Sequence, residues 1–289
     1  MDRDTEARAL LPAVAEARSW LFVPGDRRDR FGKAATSGAD LVICDLEDAV
    51  TTDRKTAART EVVRWLQEGG VACVRINARG TPHYDADVAA LAGLPGLRAV
   101  MVPKAEDSRA VTELSETVGP HTPVVPLVET ALGVHRAYDL AGAQGVVRLA
   151  FGSLDFALDI GATETAATLL FARTSLVVAS RAARVAAPVD GVTRAFDDPL
   201  VIEADAAAAA GLGFGGKLCI HPRQVAAVNG AFSPSEEDVR RARRLLDSVS
   251  DGSAGRLDGE MVDRPVVERA RQVLRQAGVE PRPGPARRS

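Results

Sequence analysis

Eight short apolar runs that alternate with helix-forming segments constrain the fold of this chain more than any other feature. The runs occupy residues 20–23, 41–44, 71–76, 99–102, 124–128, 146–151, 188–192 and 217–220. None alternates apolar with polar residues, which is typical of strands buried on both faces, as in a parallel sheet. Eight such units predict an α/β fold of the (β/α)8 TIM-barrel type. An open, doubly wound sheet is the alternative, but neither G-x-G-x-x-G after the first run nor G-x-x-x-x-G-K-[ST] occurs.

The chain of 289 residues is long enough for one such barrel, which needs about 250 residues. We expect a lead-in over 1–17, the barrel over 18–232 and a C-terminal helical arm over 233–278. Within the arm, helices are predicted at 235–248 and 265–277, separated by a Gly/Ser/Asp loop. The Pro- and Arg-rich tail, 279–289, is predicted to be disordered.

Composition excludes several classes of partner. The net charge of −3 does not favour nucleic acid or an anionic membrane, and no apolar run reaches the roughly 20 residues of a membrane span. The start of the chain has no secretory hydrophobic region. Cys44, Cys73 and Cys219 lie in apolar runs without metal-ligand spacing, which indicates reduced, buried thiols. A cytoplasmic protein is therefore expected.

Two acids follow successive strands, Glu129 after the fifth run and Asp155 after the sixth. Barrel enzymes carry their chemistry at this end of the strands. Two carboxylates with room for water and substrate suit Mg²⁺ better than zinc or copper. The sequence therefore predicts Glu129 and Asp155 as magnesium ligands, with ion pairs at the barrel rim as the alternative.

Other charged residues also end strands and should converge on the same mouth: Asp45, Glu47 and Asp48 after the second run, Arg75 after the third and Lys104 after the fourth. Arg75 is predicted to bind a substrate carboxylate or a developing enolate oxygen, or else to neutralise the nearby acids. Lys104 is interpreted as a charged partner of the acids, and a Schiff-base lysine is the alternative interpretation.

Two further sets of residues keep open interpretations. His221, at the end of the last strand, is interpreted first as a structural histidine. The basic residues Arg27, Arg28, Arg30 and Lys33 form either a solvated helix face or a phosphate-binding group.

A series of motifs in a fixed order gives the chain a family resemblance. They include RSWLFVPG (18–25), DLEDAV (45–50), VRIN (74–77), VPK (102–104), FGSLDF (151–156), GFGGKLCIHPRQV (213–225) and GEMVDRP (259–265). Each motif alone is weak, but together, from about residue 18 to residue 278, they resemble the citrate lyase β-subunit group of the HpcH/HpaI aldolase family. The resemblance implies a TIM barrel that assembles as a homotrimer or hexamer.

The resemblance also implies an activity. It implies a Mg²⁺-dependent lyase that cleaves or forms the carbon–carbon bond of a 3-hydroxyacyl thioester, of the citryl-, malyl- or citramalyl-CoA type. The partners would be an acyl-CoA thioester and a small keto acid. Mg²⁺ would lie at Glu129 and Asp155, and Arg75 would bind the keto acid. Asp263, on an arm that closes over a neighbouring subunit, would act as acid or base.

The remaining site assignments are less specific. Glu47 is a third catalytic candidate, in addition to Arg75 and Asp263. Arg18, Arg27 and Lys33 would face the phosphates of CoA, an assignment that rests on the resemblance.

Three other functions are compatible with these residues. Water could cleave a malyl-type thioester at the same site, which would make the protein a thioesterase. A hydroxy-keto-acid aldolase without CoA is another candidate, although the GEMVDRP segment argues against it. The third is a non-catalytic subunit of a lyase complex. The acyl-CoA, the keto acid and the physiological direction are not specified by the sequence.

Overall fold

The computed structural model describes residues 13–250, 256–257 and 260–279. The chain divides into two compact units, residues 1–229 and residues 230–289. The sequence placed this boundary at residue 232. Most of the predicted lead-in and nearly all of the predicted tail lie outside the described residues.

The first unit contains a closed barrel of eight parallel strands, each paired with its neighbours in chain order. The strands are β1 (Ser19–Pro24), β2 (Leu41–Asp45), β3 (Ala72–Arg75), β4 (Leu97–Val102), β5 (Val124–Val128), β6 (Arg148–Phe151), β7 (Ala186–Asp190) and β8 (Gly216–Cys219). The barrel closes where β8 pairs with β1, with Trp20 aligned to Leu218. The predicted (β/α)8 fold is confirmed.

Helices follow the strands and cover the outside of the barrel. They are α1 (Arg28–Ala35), α2 (Lys55–Gln67), α3 (Tyr84–Leu91), α4 (Ser108–Val118), α5 (Ala131–His135), α6 (Ala137–Ala141), α7 (Ser153–Asp159), α8 (Ala166–Ala183), α9 (Pro199–Leu212) and α10 (Val225–Ala231). Short 3-10 turns lie at Thr52–Arg54 and Pro222–Gln224. Within the described residues no helix is long and apolar enough to cross a membrane.

Side chains from all eight strands fill the barrel interior. The cluster includes Trp20, Ile43, Cys73, Met101, Leu127, Ala150, Val189 and Leu218. Because every strand is also covered by helices, both faces lose water, which explains the apolar runs without alternation. All three cysteines are buried and unpaired by disulfides, as expected.

A buried arginine closes the end of the barrel at which the strands begin. Arg148, the first residue of β6, donates to the carbonyl oxygen of Ala17 at 2.6 Å and to that of Ala187 at 2.5 Å. Its guanidinium carbon lies 5.9 Å from the centre of the Trp20 ring. Burial lowers the pKa of Arg148 to about 9.

A buried ionic network joins the last two strands to the helices outside them. Lys217 Nζ in β8 lies 2.8 Å from Asp190 Oδ2 in β7 and 2.9 Å from Asp205 Oδ2 in α9. Arg173 of α8 makes two hydrogen bonds to Asp190, at 3.0 and 2.6 Å. Thr193 donates to Asp205 at 2.6 Å. Two cations and two acids therefore balance each other between the barrel wall and its helices.

The second unit contains a helical hairpin. Its helices are α11 (Glu236–Ser250) and α12 (Arg264–Gln276), and a two-stranded antiparallel ribbon, β9 (Arg256–Leu257) and β10 (Glu260–Met261), lies between them in the chain. Ala242 and Leu245 of α11 pack with Ala270 and Leu274 of α12. Apolar contacts between two amphipathic helices thus hold this unit together.

Candidate active site

The carboxyl ends of β2 to β6 bring together most of the predicted site residues. Asp45 and Arg75 are the last residues of β2 and β3, Lys104 and Glu129 follow β4 and β5, and Asp155 follows β6. Parallel strands of a barrel all end at one rim, so residues far apart in sequence become neighbours there. Asp45, Arg75 and Glu129 are almost completely buried.

Arg75 lies at the centre of an acidic cluster. Its Nε and Nη2 atoms each donate to Asp45 at 2.7 Å, while Nη1 lies 3.1 Å from Glu47 Oε2 and 3.5 Å from Asp48 Oδ2. Its guanidinium carbon stands 4.9 Å from the centre of the Phe22 ring. Burial opposes the charge, but the hydrogen bonds that Arg75 donates to Asp45, together with the negative charges of Asp45, Glu47 and Asp48, outweigh burial and raise the pKa of Arg75. Arg75 thus neutralises acids, and its donors are largely committed to them.

Lys104 connects two of the acids. Its backbone has φ of 50°, a left-handed conformation that is uncommon outside glycine. In this conformation its N–H donates to Glu129 Oε1 at 2.8 Å, and its Nζ donates to Glu47 Oε1 at 2.9 Å. Burial lowers its pKa, but the hydrogen bond that Lys104 donates to Glu47 and the charges of the nearby acids outweigh burial and raise the pKa of Lys104. A Schiff-base lysine requires a lowered pKa, so this environment favours a charged partner of the acids.

Glu129 is the most perturbed acid of the site. Burial, together with the charges of Glu47 and Asp155, raises its pKa to about 8. Gly152 makes room for it, because a Cβ atom there would lie 2.5 Å from Glu129 Oε2. The absence of a side chain at position 152 therefore leaves room for the Glu129 carboxylate. The surrounding residues compensate its negative charge poorly.

Glu47 is a second buried acid with incomplete compensation. Burial raises its pKa against the opposing effect of Arg75. Its Oε2 atom is buried without a hydrogen bond, although Arg75 Nη1 is within ion-pair distance. The carbonyl oxygens of Leu46 and Glu47 accept from Lys55 Nζ at 2.8 and 2.7 Å, which fixes the loop that carries the acid.

Asp155 occupies a different element from the one the sequence suggested. It lies in the first turn of α7, a short helix that sequence reasoning missed, and is half-buried. The helix begins directly after β6, so Asp155 still lies at the mouth. It is close enough to Glu129 to raise the pKa of that residue.

The acids fit a hard divalent cation better than any other group. Among the described residues, no set of three or more His, Cys, Asp or Glu side chains forms a ready metal cluster. Magnesium commonly binds through one or two carboxylates and completes its shell with water and substrate oxygens. Two acids with a poorly compensated charge, Glu129 and Asp155, suit that mode of binding.

The structure does not bring Arg18 to this mouth. Arg18 precedes β1, at the opposite end of the barrel, where it pairs with Asp40 through two side-chain hydrogen bonds at 2.8 and 2.9 Å. Arg18 lies there because its motif spans the whole of β1, and its predicted contact with CoA phosphates stays a prediction that this position does not support. Arg27 follows β1 on the mouth side and pairs with Asp29 at 2.9 Å, and Lys33 is exposed on α1.

Asp263 lies in the second unit. It is exposed and caps α12, where its Oδ1 accepts from the N–H of Val266 at 3.3 Å. Gly259, at the start of the GEMVDRP motif, lies outside the described residues. The observed contact is a structural one, and the predicted catalytic role of Asp263 stays a prediction.

Sequence reasoning missed a buried acid that holds the loop after β3. Asp87 of α3 accepts from the backbone and the side chain of Asn77 at 2.9 and 2.6 Å, and from Arg59 Nε at 2.7 Å. Asp87 lies in a segment with the pattern of an ordinary helix, so nothing near it in the sequence distinguished it from a surface acid. The only signal was Asn77, a polar residue at a strand end that requires a hydrogen-bond partner.

His221 has structural contacts at the end of β8. Its Nδ1 accepts from the N–H of Arg223 at 3.2 Å, and its ring lies 5.1 Å from that of Phe196. Gln224 donates to the carbonyl oxygens of Thr193 and Ala195 at 2.7 and 2.9 Å, which ties the loops after β7 and β8 together.

Fold and site together define a class of protein, the (β/α)8-barrel enzymes whose charged residues converge at the carboxyl ends of the strands. A family model described as HpcH/HpaI aldolase/citrate lyase matches residues 18–222. The chain belongs to this family, and the class of enzyme is carbon–carbon lyase. The resemblance inferred from the motifs is thereby confirmed.

Individual relatives match nearly the whole chain. A Deinococcus radiodurans protein described as citrate lyase subunit beta-like is 37% identical over 275 residues, covering 89% of this chain and 96% of that protein. An L-malyl-CoA/beta-methylmalyl-CoA lyase of Cereibacter sphaeroides is 32% identical over 308 residues, covering 92% and 96%. Among solved structures, Mycobacterium tuberculosis CitE in complex with magnesium, acetoacetate and coenzyme A gives a TM-score of 0.80 at 36% identity, covering 91% of this chain and 99% of that chain.

Proposed function

We propose that this protein is a Mg²⁺-dependent lyase that cleaves or forms the carbon–carbon bond of a 3-hydroxyacyl-CoA thioester. The observation that carries the proposal is the cluster in which Glu129 and Asp155 lie beside Arg75 and Lys104 at the barrel mouth. The similarity to a malyl-CoA lyase and to a structure containing magnesium, acetoacetate and coenzyme A supports it.

Glu129 and Asp155 would hold the metal in this proposal. Bound Mg²⁺ supplies a Lewis acid that polarises a carbonyl oxygen and stabilises developing negative charge. Arg75 adds a fixed positive charge for a substrate oxygen, because the acids around it keep it in place. Lys104 holds Glu129 through its backbone and Glu47 through its side chain.

The reaction needs one proton removed and one proton delivered. In cleavage, a base takes the proton of the 3-hydroxyl group, the bond between C2 and C3 of the acyl chain breaks, and its electrons pass to the thioester as an enolate. The hydroxyl carbon becomes the keto-acid carbonyl, and a proton delivered to the enolate carbon completes the acyl-CoA. Glu47 suits the first role, because burial raises its pKa and leaves its Oε2 without a hydrogen bond.

The second proton is assigned to Asp263 of a neighbouring copy, following the prediction from the sequence. Asp263 is exposed at the start of α12 and therefore accessible to another molecule. Assembly into a homotrimer or hexamer would deliver it. The phosphates of CoA are assigned to Arg27 and Lys33, which belong to the segment that follows β1 on the mouth side.

A product screen by mass spectrometry tests the proposal. The protein with Mg²⁺ is given acetyl-CoA or propionyl-CoA with a keto acid, and malyl-, citramalyl- and citryl-CoA are tested for cleavage. We expect a hydroxyacyl-CoA or its cleavage to a keto acid and an acyl-CoA, abolished in Glu129→Gln. Free hydroxy acid and CoA without a keto acid would instead identify a thioesterase. No conversion with either set would contradict the lyase assignment.

Subunit mixing tests the role of Asp263. Inactive Asp263→Asn and inactive Glu129→Gln proteins are combined under conditions in which subunits exchange. Asparagine keeps the helix cap, so the first variant should fold normally. If Asp263 acts on a neighbouring site, mixed assemblies should regain part of the activity. Absence of recovery despite measured exchange would remove Asp263 from the mechanism.

A further inference from the structure

The first two turns of α2 contact two separate loops of the barrel mouth. Lys55, the first residue of the helix, donates through Nζ to the carbonyl oxygens of Leu46 and Glu47, in the loop after β2, at 2.8 and 2.7 Å. Arg59 lies one helical turn later and donates through Nε to Asp87 Oδ1 at 2.7 Å. Residues four apart lie on the same face of a helix, so one face of α2 carries both cations.

Arg59 reaches the second loop through Asp87. The other oxygen of Asp87, Oδ2, accepts from the backbone N–H and the side-chain amide of Asn77 at 2.9 and 2.6 Å. Asn77 follows Arg75, the last residue of β3, by two positions, so the Asp87 carboxylate holds the chain directly after this strand. Asp87 is completely buried, and a buried carboxylate is stable only with a partner such as Arg59.

The body of α2 gives both contacts a fixed base. Ala58, Val62 and Leu66 are fully buried and recur every four residues along the helix. The side chains of Lys55 and Arg59 are largely buried as well, which removes most of the rotamer freedom that such long side chains have in water. The position of the helix is therefore passed to both loops.

These two loops carry groups of the proposed reaction. Glu47 belongs to the first loop, Arg75 immediately precedes the second, and Arg75 Nη1 lies 3.1 Å from Glu47 Oε2. The segments also meet through the backbone, because the N–H of Leu46 donates to the carbonyl oxygen of Arg75 at 2.9 Å. A displacement of about 1 Å between reacting groups can slow a reaction by about a hundredfold.

We propose that Lys55 and Arg59 are positioning residues that set the placement of Glu47 relative to Arg75 from one helix. The proposal rests on the function proposed above and adds two residues to that reaction. Lys55 acts through the backbone of the loop that carries Glu47, and Arg59 acts through the chain after β3. Glu129 is held separately, by the N–H of Lys104, so binding of Mg²⁺ should not depend on these contacts.

Hydrogen exchange of the full chain measures the two contacts without requiring turnover. Backbone amides within 46–49 and the amide of Asn77 donate hydrogen bonds at the mouth, so each reports one loop. Lys55→Met should speed exchange within 46–49 about tenfold and leave Asn77 unchanged, and Arg59→Met should do the reverse. Arg64→Met, which breaks an exposed pair on the same helix, should change neither loop.

A double-mutant cycle tests whether Lys55 acts through Glu47. The assay uses whichever of malyl-, citramalyl- and citryl-CoA the product screen shows to be cleaved. Lys55→Met should lower kcat about tenfold, with KM for the thioester and the affinity for Mg²⁺ changed by less than about twofold. In a Glu47→Asp background the same substitution should lower kcat by less than about threefold, because the carboxylate is already displaced.

The possible outcomes separate this inference from the proposed function. Unchanged exchange, or faster exchange in both loops and in α2 itself for each variant, would overturn the inference, and so would equal losses of kcat in the two backgrounds. Arg59→Met alone decides the exchange test if Lys55→Met does not fold. A wild-type protein that cleaves no thioester would contradict the proposed function, while the exchange pattern would still show whether α2 places the two loops.

Discussion

Among single residues, Lys104 has the backbone conformation that matters most for the site. Its φ of 50° aims the N–H at Glu129 Oε1, while its side chain reaches Glu47. Left-handed backbone costs a residue with a Cβ atom about 1 kcal/mol, and such strain is often kept at functional sites because it positions a group. Lys104 therefore has two separable roles, one in its backbone and one in its ammonium group.

Replacing Lys104 by glycine or by alanine should separate these roles. Both variants lose the ion pair with Glu47, but glycine adopts positive φ without strain and alanine does not. We expect Mg²⁺ to bind several-fold more weakly to Lys104→Ala than to Lys104→Gly, measured by calorimetry. Equal affinities in the two variants would show that the backbone conformation does not matter for the metal.

Glu129 should make the stability of the metal-free protein depend on pH. Its pKa of about 8 lies above the value of about 4.3 for an unfolded glutamate, so the folded state binds more protons between these values. The free energy of unfolding in EDTA should therefore fall as pH rises from about 4.5 to about 8, by a few kcal/mol from this group.

Glu129→Gln should remove that decline, and Mg²⁺ should stabilise the wild-type protein at pH 8 but not the variant. Chemical denaturation at a series of pH values measures both effects, with Glu116→Gln as the control. A decline in Glu129→Gln as steep as that of the wild-type protein would show that another group is responsible.

Among the elements, α8 and α9 depend on a charged contact with the barrel wall. Arg173, Asp190, Asp205 and Lys217 come from two helices and two strands, and three of the four are almost completely buried. Removing one member of a buried network is costly because the remaining charge loses its partner without regaining water. The network therefore makes the attachment of these helices specific.

Lys217→Met should lower the free energy of unfolding of the first unit by about 3–5 kcal/mol. Arg64→Met breaks an exposed pair with Glu61 and should cost less than about 1 kcal/mol. Urea denaturation followed by circular dichroism compares the two. If both variants lose less than about 1 kcal/mol of the free energy of unfolding, the buried network does not depend on the ammonium group of Lys217.

At the scale of the whole molecule, one exposed groove on the first unit is a candidate interface between copies of the chain. The groove has a volume of 710 Å³ and is lined by residues of α5 to α8, including Tyr138, Phe171 and Val178, and by Ile160 directly after α7. Phe171 is 75% exposed. We predict that a second copy of the chain covers this groove in the expected homotrimer or hexamer, because burial of exposed apolar side chains such as Phe171 favours association.

Phe171→Asp should dissociate the assembly. Light scattering after size exclusion should give three or six chains for the wild-type protein and one chain for the variant. Leu200→Asp, at a position that is 77% exposed on α9, should leave the assembly unchanged. A wild-type monomer, or an assembled Phe171→Asp variant, would exclude this surface as the interface.

The sequence predicted the barrel because strands that are buried on both faces appear in the sequence as short apolar runs without polar alternation. It also located Arg75, Lys104 and Glu129, since the ends of parallel strands must meet. It could not give the partners of Asp87 or Lys217, because contacts between residues distant in the chain leave no local pattern. Arg18 can be assigned to one end of the barrel only when the first and last residues of β1 are known. Asp155 was not assigned to a helix, because α7 is too short to give a recognisable helical pattern.

The hydrogen bonds of Arg148 have a consequence for the minimal length of the folded unit. The family model begins at residue 18, yet the guanidinium of Arg148 uses the carbonyl oxygen of Ala17. A chain shortened to the matched region would keep every strand of the barrel and every acid of the mouth. It would nevertheless leave a buried cation without one of its two closest acceptors, at the floor opposite the site. The boundary of a homologous region and the boundary of a self-sufficient fold are therefore different positions in this protein.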